Sequence, residues 1–328
     1  MDIVLAGQLR ERAGDARGVP PDPALQPALI LERLYEAPGL PQFDLPRRLA
    51  ELYDGSLGLP ATCLYANFVA SLDGVVAGAG ITSGTISLGS EADRFVMGLL
   101  RASAGAVLIG AGTLRPDPGH RWTAEKLYPQ AAAEFSSLRA SLGLPPEPPL
   151  AIVTASGRLP SLTALTPGSL VITTPAGARA LAGSLPATAE LVVPSARGAP
   201  QGAGSATRGA PQGAGSATRG APQGAGSANG DTIPAAEIVG ALRERGHDRV
   251  LTEGGPKLFG ELVAAGLVDE LFLTTSPVLF GDATPAIGIT GCLGPAAEPR
   301  ARAELLSLRR HGSHLFVRYS LGRSPSER

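Results

Sequence analysis

From Cys63 onward the apolar positions fall into a regular rhythm. Residues 64–71 form an apolar run too short for a helix and closed by Gly- and Ser-rich chain, which predicts a buried strand. Phe95, Val96, Leu99 and Leu100 then recur at helical spacing behind Ser90, with Asp93 three residues beyond that serine. The spacing predicts a helix with one buried face, opened by a Ser90–Asp93 capping box. Short apolar runs bounded by Pro or Gly predict strands at 106–109, 150–154, 170–174 and 191–193. Pro234 and Gly246 bracket a helix, 249–252 reads as a strand, 256–265 as a helix ended by Gly266, and 268–273 as a further strand. Residues 305–310 and 314–320, parted by Gly312 and Ser313, predict a closing β-hairpin. Alternating helices and strands with a terminal hairpin predict one three-layer α/β domain, its sheet mostly parallel with an antiparallel edge.

Two stretches depart from this rhythm. Before residue 60, Pro20, Pro21, Pro23, Pro27, Pro38, Pro41, Pro46 and Pro60 punctuate two short amphipathic segments, 29–35 and 45–53. Residues 1–61 are therefore expected to be a Pro-rich extension packing on a core domain of 62–328. That domain is interrupted at 197–230, where RGAPQGAGSAT runs from Arg197, repeats from Arg208 and returns from Arg219 with Asn229 in place of the last Thr. The unit has no apolar residue larger than Ala and nothing to bury against a neighbour, so a flexible loop is expected there.

Charge narrows the field. With 28 Lys+Arg against 29 Asp+Glu, a net charge of −1, the chain lacks the basic footprint of a nucleic-acid or anionic-membrane binder. At 44% hydrophobic it can bury a large core, yet no apolar run approaches the ~18 residues of a membrane span, and a soluble cytoplasmic protein is expected. Cys63 and Cys292 have no His or Cys neighbours at metal-ligand spacing, so neither a structural zinc nor a disulfide framework is expected.

In such a sheet ligands bind beyond the carboxyl ends of the strands, so the loops there carry the candidate chemistry. After the first core strand, Ser71 and Asp73, with Asn67 on the same strand, could orient a polar substrate. Ser71–Asp73–Gly74 is equally what an Asx turn needs. Gly110-Ala111-Gly112-Thr113 would let backbone N–H groups approach a phosphate, or simply make a tight turn. It is no dinucleotide fingerprint, since Arg115, Pro116 and Pro118 stand where a glycine and a helix are required. Glu253-Gly254-Gly255 ahead of the helix at Pro256 offers an anion site made of first-turn N–H groups. Thr154-Ala155-Ser156-Gly157-Arg158 supplies hydroxyls and a guanidinium that suit a ribose phosphate, though such a loop is also ordinary. A phosphate-loop motif, a G-x-S-x-G elbow and a zinc-deaminase signature are all missing, and His247, His311 and His314 stand in surface-like polar contexts.

In series, these motifs resemble the reductase family of bacterial riboflavin biosynthesis, related in fold to dihydrofolate reductase. The matching residues are Asn67-Phe68-Val69-Ala70-Ser71-Leu72-Asp73-Gly74, Leu100-Arg101, Val107 through Thr113, Thr252-Glu253-Gly254-Gly255-Pro256, and Gly266 through Leu271 leading to Pro277. The likeness spans roughly 62–320 apart from the repeat. It implies a dihydrofolate-reductase-like fold and NADPH-dependent reduction of the ribosyl group of 5-amino-6-(5-phosphoribosylamino)uracil, a phosphorylated pyrimidine, with positioning as the main catalytic device. It further implies that Gly110, Gly112, Thr113, Glu253, Gly254, Gly255 and Leu258 line the cofactor, with Thr154, Ser156 and Arg158 at its 2′-phosphate. Asn67, Ser71 and Asp73 would face nicotinamide and substrate, while Ser83, Arg101 and Asp117 would grip the ribose phosphate, Arg101 foremost because its fork suits a bidentate bond; the alternative for Arg101 is a surface arginine closing its helix. A homodimer through the C-terminal hairpin and final strands is implied too. Two other readings stand beside it, a pterin or dihydrofolate reductase on the same scaffold and a catalytically silent nucleotide-binding protein.

Overall fold

The first element described is a polar strand. β1 (Glu32–Glu36) exposes most of its side chains and leads into helix α1 (Arg47–Tyr53), which buries Leu49 and Tyr53. This computed structural model describes residues 29–78, 80–115, 119–194, 232–281, 286–288 and 302–321. After α1 come β2 (Cys63–Ala70), β3 (Val75–Gly78), α2 (Ser83–Ile86), α3 (Glu91–Ala102) and β4 (Ala106–Gly110), then a 3-10 turn Ala111–Leu114. The chain continues through α4 (Ala124–Leu127), α5 (Ala132–Ser141), β5 (Leu150–Thr154), β6 (Leu170–Thr173), α6 (Pro175–Leu181) and β7 (Glu190–Val192). Beyond the repeat follow α7 (Ala235–Arg243), β8 (Arg249–Thr252), α8 (Pro256–Ala264), β9 (Glu270–Thr275), β10 (Ala286–Gly288), β11 (Glu304–His311) and β12 (His314–Ser320).

The main sheet runs β1-β11-β12-β9-β2-β8-β4-β5-β6-β7, and β10 pairs with β3 in a separate two-stranded sheet. From β9 to β7 every pairing is parallel, while β12, β11 and β1 add an antiparallel flank. Parallel strands covered on both faces read as nearly continuous apolar runs, and β2 obeys this. Cys63 and Tyr65 join the core under α1, α3 and α5, with Leu49, Phe95, Leu99 and Phe135; Leu64 and Ala66 join the opposite core under α7 and α8, with Ile238, Leu242, Phe259 and Leu262. The expected three-layer α/β architecture with a mostly parallel sheet and an antiparallel hairpin is the one found.

Several boundaries and details differ. The strand expected at 268–273 is β9 at Glu270–Thr275, because Asp269 is used to start the pairing: its carboxylate accepts the Leu64 N–H at 2.8 Å and its own N–H donates to the Leu64 carbonyl at 2.8 Å. Only half of the capping box forms. Ser90 Oγ accepts the Asp93 N–H at 3.2 Å, but the Ser90 N–H donates to the Ser87 carbonyl, and the Asp93 carboxyl turns inward to the Thr274 hydroxyl. Thr174 is not strand but the N-cap of α6, its Oγ1 accepting the Gly177 N–H at 3.0 Å. Residues 29–61 place Leu31, Leu49, Tyr53, Leu57 and Leu59 in the core, and β1 lies along the outer edge of the hairpin. Residues 1–28 and the repeat at 197–230 lie outside the described residues, as does Cys292.

Candidate functional site

Five parallel strands, β9-β2-β8-β4-β5, are consecutive neighbours, so the loops that leave their carboxyl ends share one rim of the sheet. The middle of that rim belongs to the loops after β4 and β8. They are tied together: the Glu253 N–H donates to the Leu108 carbonyl at 3.1 Å and the Gly255 N–H donates to Thr113 Oγ1 at 3.2 Å. The Gly254 N–H donates to Thr252 Oγ1 at 3.2 Å. Helix α8 then starts at Pro256 with no side-chain cap, so its first-turn N–H groups have no intrahelical acceptor and the positive end of its dipole faces the rim.

The glycines on this rim are glycines for different reasons. A Cβ at Gly254 would lie 2.7 Å from Leu258 Cδ2, so this glycine admits the buried Leu258 side chain. Leu258 thereby shapes the turn from beneath. At Gly110 and Gly112, by contrast, a Cβ would meet no protein atom within 4 Å, and neither residue has a positive φ. Neither packing nor backbone conformation asks for glycine there. What the missing side chains leave is open space beside peptide groups, the room a nucleotide phosphate or ribose needs.

The loop after β5 adjoins this cradle. Thr154 is buried and its Oγ1 donates to the Arg158 carbonyl at 3.3 Å; Ser156 and Arg158 are exposed, with the Arg158 N–H on Ser156 Oγ at 3.4 Å. Gly157, at φ 70°, sits so close to α6 that a Cβ would fall 2.2 Å from the Gly177 carbonyl oxygen. The backbone of this loop is held fast, while the Ser156 and Arg158 side chains stand exposed at its surface.

On the other side, the loop after β2 is closed on itself and on the loop after β9. Ser71 Oγ donates to Asp73 Oδ1, and Asp73 Oδ2 accepts the N–H groups of Phe280 at 3.0 Å and Gly281 at 2.8 Å. The Leu72 N–H donates to the Val278 carbonyl at 2.8 Å. These bonds, the Ser71 hydroxyl first and the Gly281 N–H next, hold the Asp73 carboxyl below its ordinary range. The turn is made by backbone and by Ser71, with the Gly74 N–H on the Ser71 carbonyl at 3.0 Å and the Val75 N–H on Ser71 Oγ at 2.9 Å, so it is no Asx turn; Asp73 acts instead as a staple between two loops. Asn67 lies deeper in β2, 7% exposed, on the face of Tyr65 and α3, and its amide has no hydrogen-bond partner among the described residues. The amide atoms are not sealed off with the rest of the residue, so they remain open to a ligand. Ser83 is exposed at the first residue of α2, whose Ser87 carbonyl lies 3.1 Å from His314 Nε2; that nitrogen is 3.3 Å from the Ser276 hydroxyl just beyond β9. His314 is half-buried here rather than surface-like, and burial lowers its pKa. Asp117 lies outside the described residues.

Arg101 and Glu253 meet at the centre. Arg101 is 2% exposed, and its fork grips one carboxylate, Nε to Oε1 at 2.8 Å and Nη2 to Oε2 at 2.6 Å. Its Nη1 lies 3.3 Å from His120 Nε2 and donates toward the carbonyls of Arg121 at 3.5 Å and Thr123 at 3.4 Å. The surface-arginine reading fails because the residue closes α3 on the inner side, where Arg139 already caps the helix by donating to the carbonyls of Arg101, Ala102 and Ala104. His120, Arg139, Asp93 and Thr274 are polar residues of this region that sequence reasoning missed. Only Asp93 had a local signal, its place three after Ser90, and that signal pointed to a cap. Burial drives the Asp93 carboxyl up to about 6, opposed by its bond to Thr274.

The family model for the RibD C-terminal domain matches residues 62–317. No curated protein matches the chain. A pyrimidine reductase-like protein from Corynebacterium diphtheriae shares 20% identity at a TM-score of 0.54, over 84% of this chain and 99% of that one. RibD from Acinetobacter baumannii shares 19% identity at a TM-score of 0.51, over 80% of this chain and 58% of the other. A deaminase/5-amino-6-(5-phosphoribosylamino)uracil reductase from Thermotoga maritima shares 18% identity at a TM-score of 0.49, over 79% of this chain and 56% of that one. The chain thus spans little more than half the length of these last two.

Proposed function

Because the chain belongs to the RibD C-terminal domain family, we propose that it is an NADPH-dependent reductase of riboflavin biosynthesis, acting on the ribosyl group of 5-amino-6-(5-phosphoribosylamino)uracil. The observation that carries this reading is the open cradle at Gly110 and Gly112, joined by the Thr113–Gly255 hydrogen bond to the uncapped start of α8. A cofactor bound there supplies a hydride. Backbone N–H groups of 110–113 and of the first turn of α8 would hold its phosphates, and Ser156 and Arg158, exposed on a rigid loop, would discriminate a 2′-phosphate. Asn67 would orient the substrate through its unpartnered amide, and Ser83 and Asp117 would take the sugar-phosphate end. Ser71 and Asp73 support the reading at one remove, since they hold the wall against which nicotinamide and substrate would lie. The task of these residues is to bring two carbons together and keep water out.

The experiment is NADPH oxidation by the purified protein, with the phosphoribosylaminouracil and dihydrofolate offered in parallel. Turnover of the first alone is expected. Turnover of dihydrofolate alone would move the protein to pterin chemistry, and saturable NADPH binding without either turnover would leave a nucleotide-binding protein. A cytoplasmic homodimer belongs to the same proposal. Since β1 already occupies the outer edge of the hairpin, a second copy would meet a sheet face, the row Tyr35–Leu308–Val317–Leu273–Phe68 that crosses five strands. Light scattering at the mass of one chain would overturn that part.

A further inference from the structure

The family resemblance gives Arg101 to a substrate phosphate and Glu253 to the cofactor; in the structure each holds the other. We propose that Arg101 is a positioning residue, which fixes the Glu253-Gly254-Gly255 turn through its two-pronged bond to Glu253 and ties the 120–123 segment to that turn. The proposal rests on the reading of this rim as a nicotinamide-nucleotide site.

Three observations carry it. First, the guanidinium is enclosed. At 2% exposure, with Nε and Nη2 on Glu253 and Nη1 turned to His120 and the Thr123 carbonyl, too little of the fork remains for a bidentate grip on a phosphate. The Trp122 ring, 5.9 Å from the guanidinium carbon, closes another side. Second, the turn needs an anchor. Its two glycines bring conformational freedom, and their N–H groups are pinned at 3.2 Å to Thr252 Oγ1 and Thr113 Oγ1 only if the chain before them is correctly placed. Glu253 fixes that chain at both ends of the residue, backbone on Leu108 and carboxylate on Arg101. Third, the arginine itself is rigidly mounted. Arg139, 3% exposed, donates to the Arg101 carbonyl at 3.1 Å and to the Ala104 carbonyl at 2.8 Å, so the last turn of α3 cannot swing. The chain of contacts therefore runs from α5 through α3 to the turn that starts α8.

Arg101→Lys keeps the charge and loses the fork, and Glu253→Gln keeps the shape and loses the charge. Both are made in the full-length chain, and NADPH affinity, the separate KM values for cofactor and substrate, and amide exchange over 252–258 are measured. Each variant is expected to weaken NADPH binding about tenfold, leave the substrate KM within about twofold, and speed exchange at Gly254 and Gly255 about tenfold while amides 95–100 keep wild-type protection. The double variant is expected to be no worse than the poorer single one, because both cut the same bond. A raised substrate KM with intact cofactor affinity would make Arg101 a direct phosphate ligand and overturn the proposal. A fall in melting temperature with unchanged NADPH affinity and unchanged exchange in the turn would overturn it too, leaving only a stabilising pair. Should the wild type bind no NADPH, the reading of the site falls, and the exchange data alone decide whether Arg101 orders the turn.

Discussion

Asp93 occupies the third position of α3, where a carboxylate is favoured by the helix dipole, yet it is 4% exposed and its pKa rises to about 6. Desolvation is the largest cause and exceeds the stabilising bond to Thr274. The folded protein therefore binds this proton more tightly than the unfolded chain, whose ordinary value is 3.8. Stability from this group is fully present below pH ~4 and is lost as pH rises to ~6, a change of at most about 3 kcal/mol. Asp93→Asn is expected to flatten that slope: urea denaturation at pH 8 should find the variant more stable than wild type, and at pH 4 the two should agree. Equal gains at both pH values would show that the carboxyl is not ionising in place. Glycines make a second test on this scale. Gly110→Ala and Gly112→Ala should keep the melting temperature and weaken NADPH binding tenfold or more. Gly177→Ala, whose Cβ would fall 2.0 Å from Thr173 Oγ1, should cost about 2 kcal/mol or more in stability. A stability loss at Gly110 as large as that at Gly177 would remove the cradle argument.

Among elements, Asp73 joins the segments after β2 and β9, and through them the small β3–β10 sheet stands beside the rim. Asp73→Ala should therefore raise amide exchange at Phe280 and Gly281 about tenfold with little change elsewhere; protection at wild-type level would deny it the role of staple. Which elements the sequence foretells follows from how locally each is determined. β2, β4, β5, α3, α7, β8 and α8 carry strong periods and Gly or Pro punctuation, and they lie within a residue or two of expectation. Helix α5 was not foreseen, since its buried face, Phe135, Leu138 and Arg139, has an arginine in one of its three places and so carries a weak apolar period. Strand β1, ERLYE, shows no apolar alternation because it is an exposed edge. Of the site, the glycine loops were legible because backbone chemistry leaves its mark in the residue type. The Arg101–Glu253 bond was not, since its partners are 152 residues apart and each taken singly suits a ligand.

At the scale of the whole molecule, residues 29–61 are bound into the sheet rather than draped over it. Arg309, 1% exposed, donates to Glu36 at 2.6 Å and to the Tyr53 carbonyl at 2.7 Å, with its guanidinium carbon 3.8 Å from the centroid of the Tyr53 ring. Leu31 is fully buried in the same place, so Leu31→Ala should cost about 2–5 kcal/mol by chemical denaturation. A loss below about 1 kcal/mol would mean that the segment adds no stability. The repeat makes the opposite case: Val192 before it and Ile233 after it are buried in one cluster, so each end is held by the core independently of the insert. Excising 197–229 is expected to leave both melting temperature and turnover unchanged, whereas loss of a binding partner on excision would favour the nucleotide-binding reading.

The pairing of β1 with β11 sets an order of events during synthesis. Glu32 and Arg310 are register partners, yet the ribosome releases the second some 280 residues after the first. Until the hairpin emerges, β1 has no strand to join, while the parallel centre from β2 to β9 can already assemble. The sheet is thus finished at its edge by two segments made far apart in time. A nascent chain stalled before β11 should be protease-sensitive through residues 32–36 and protected from β2 onward.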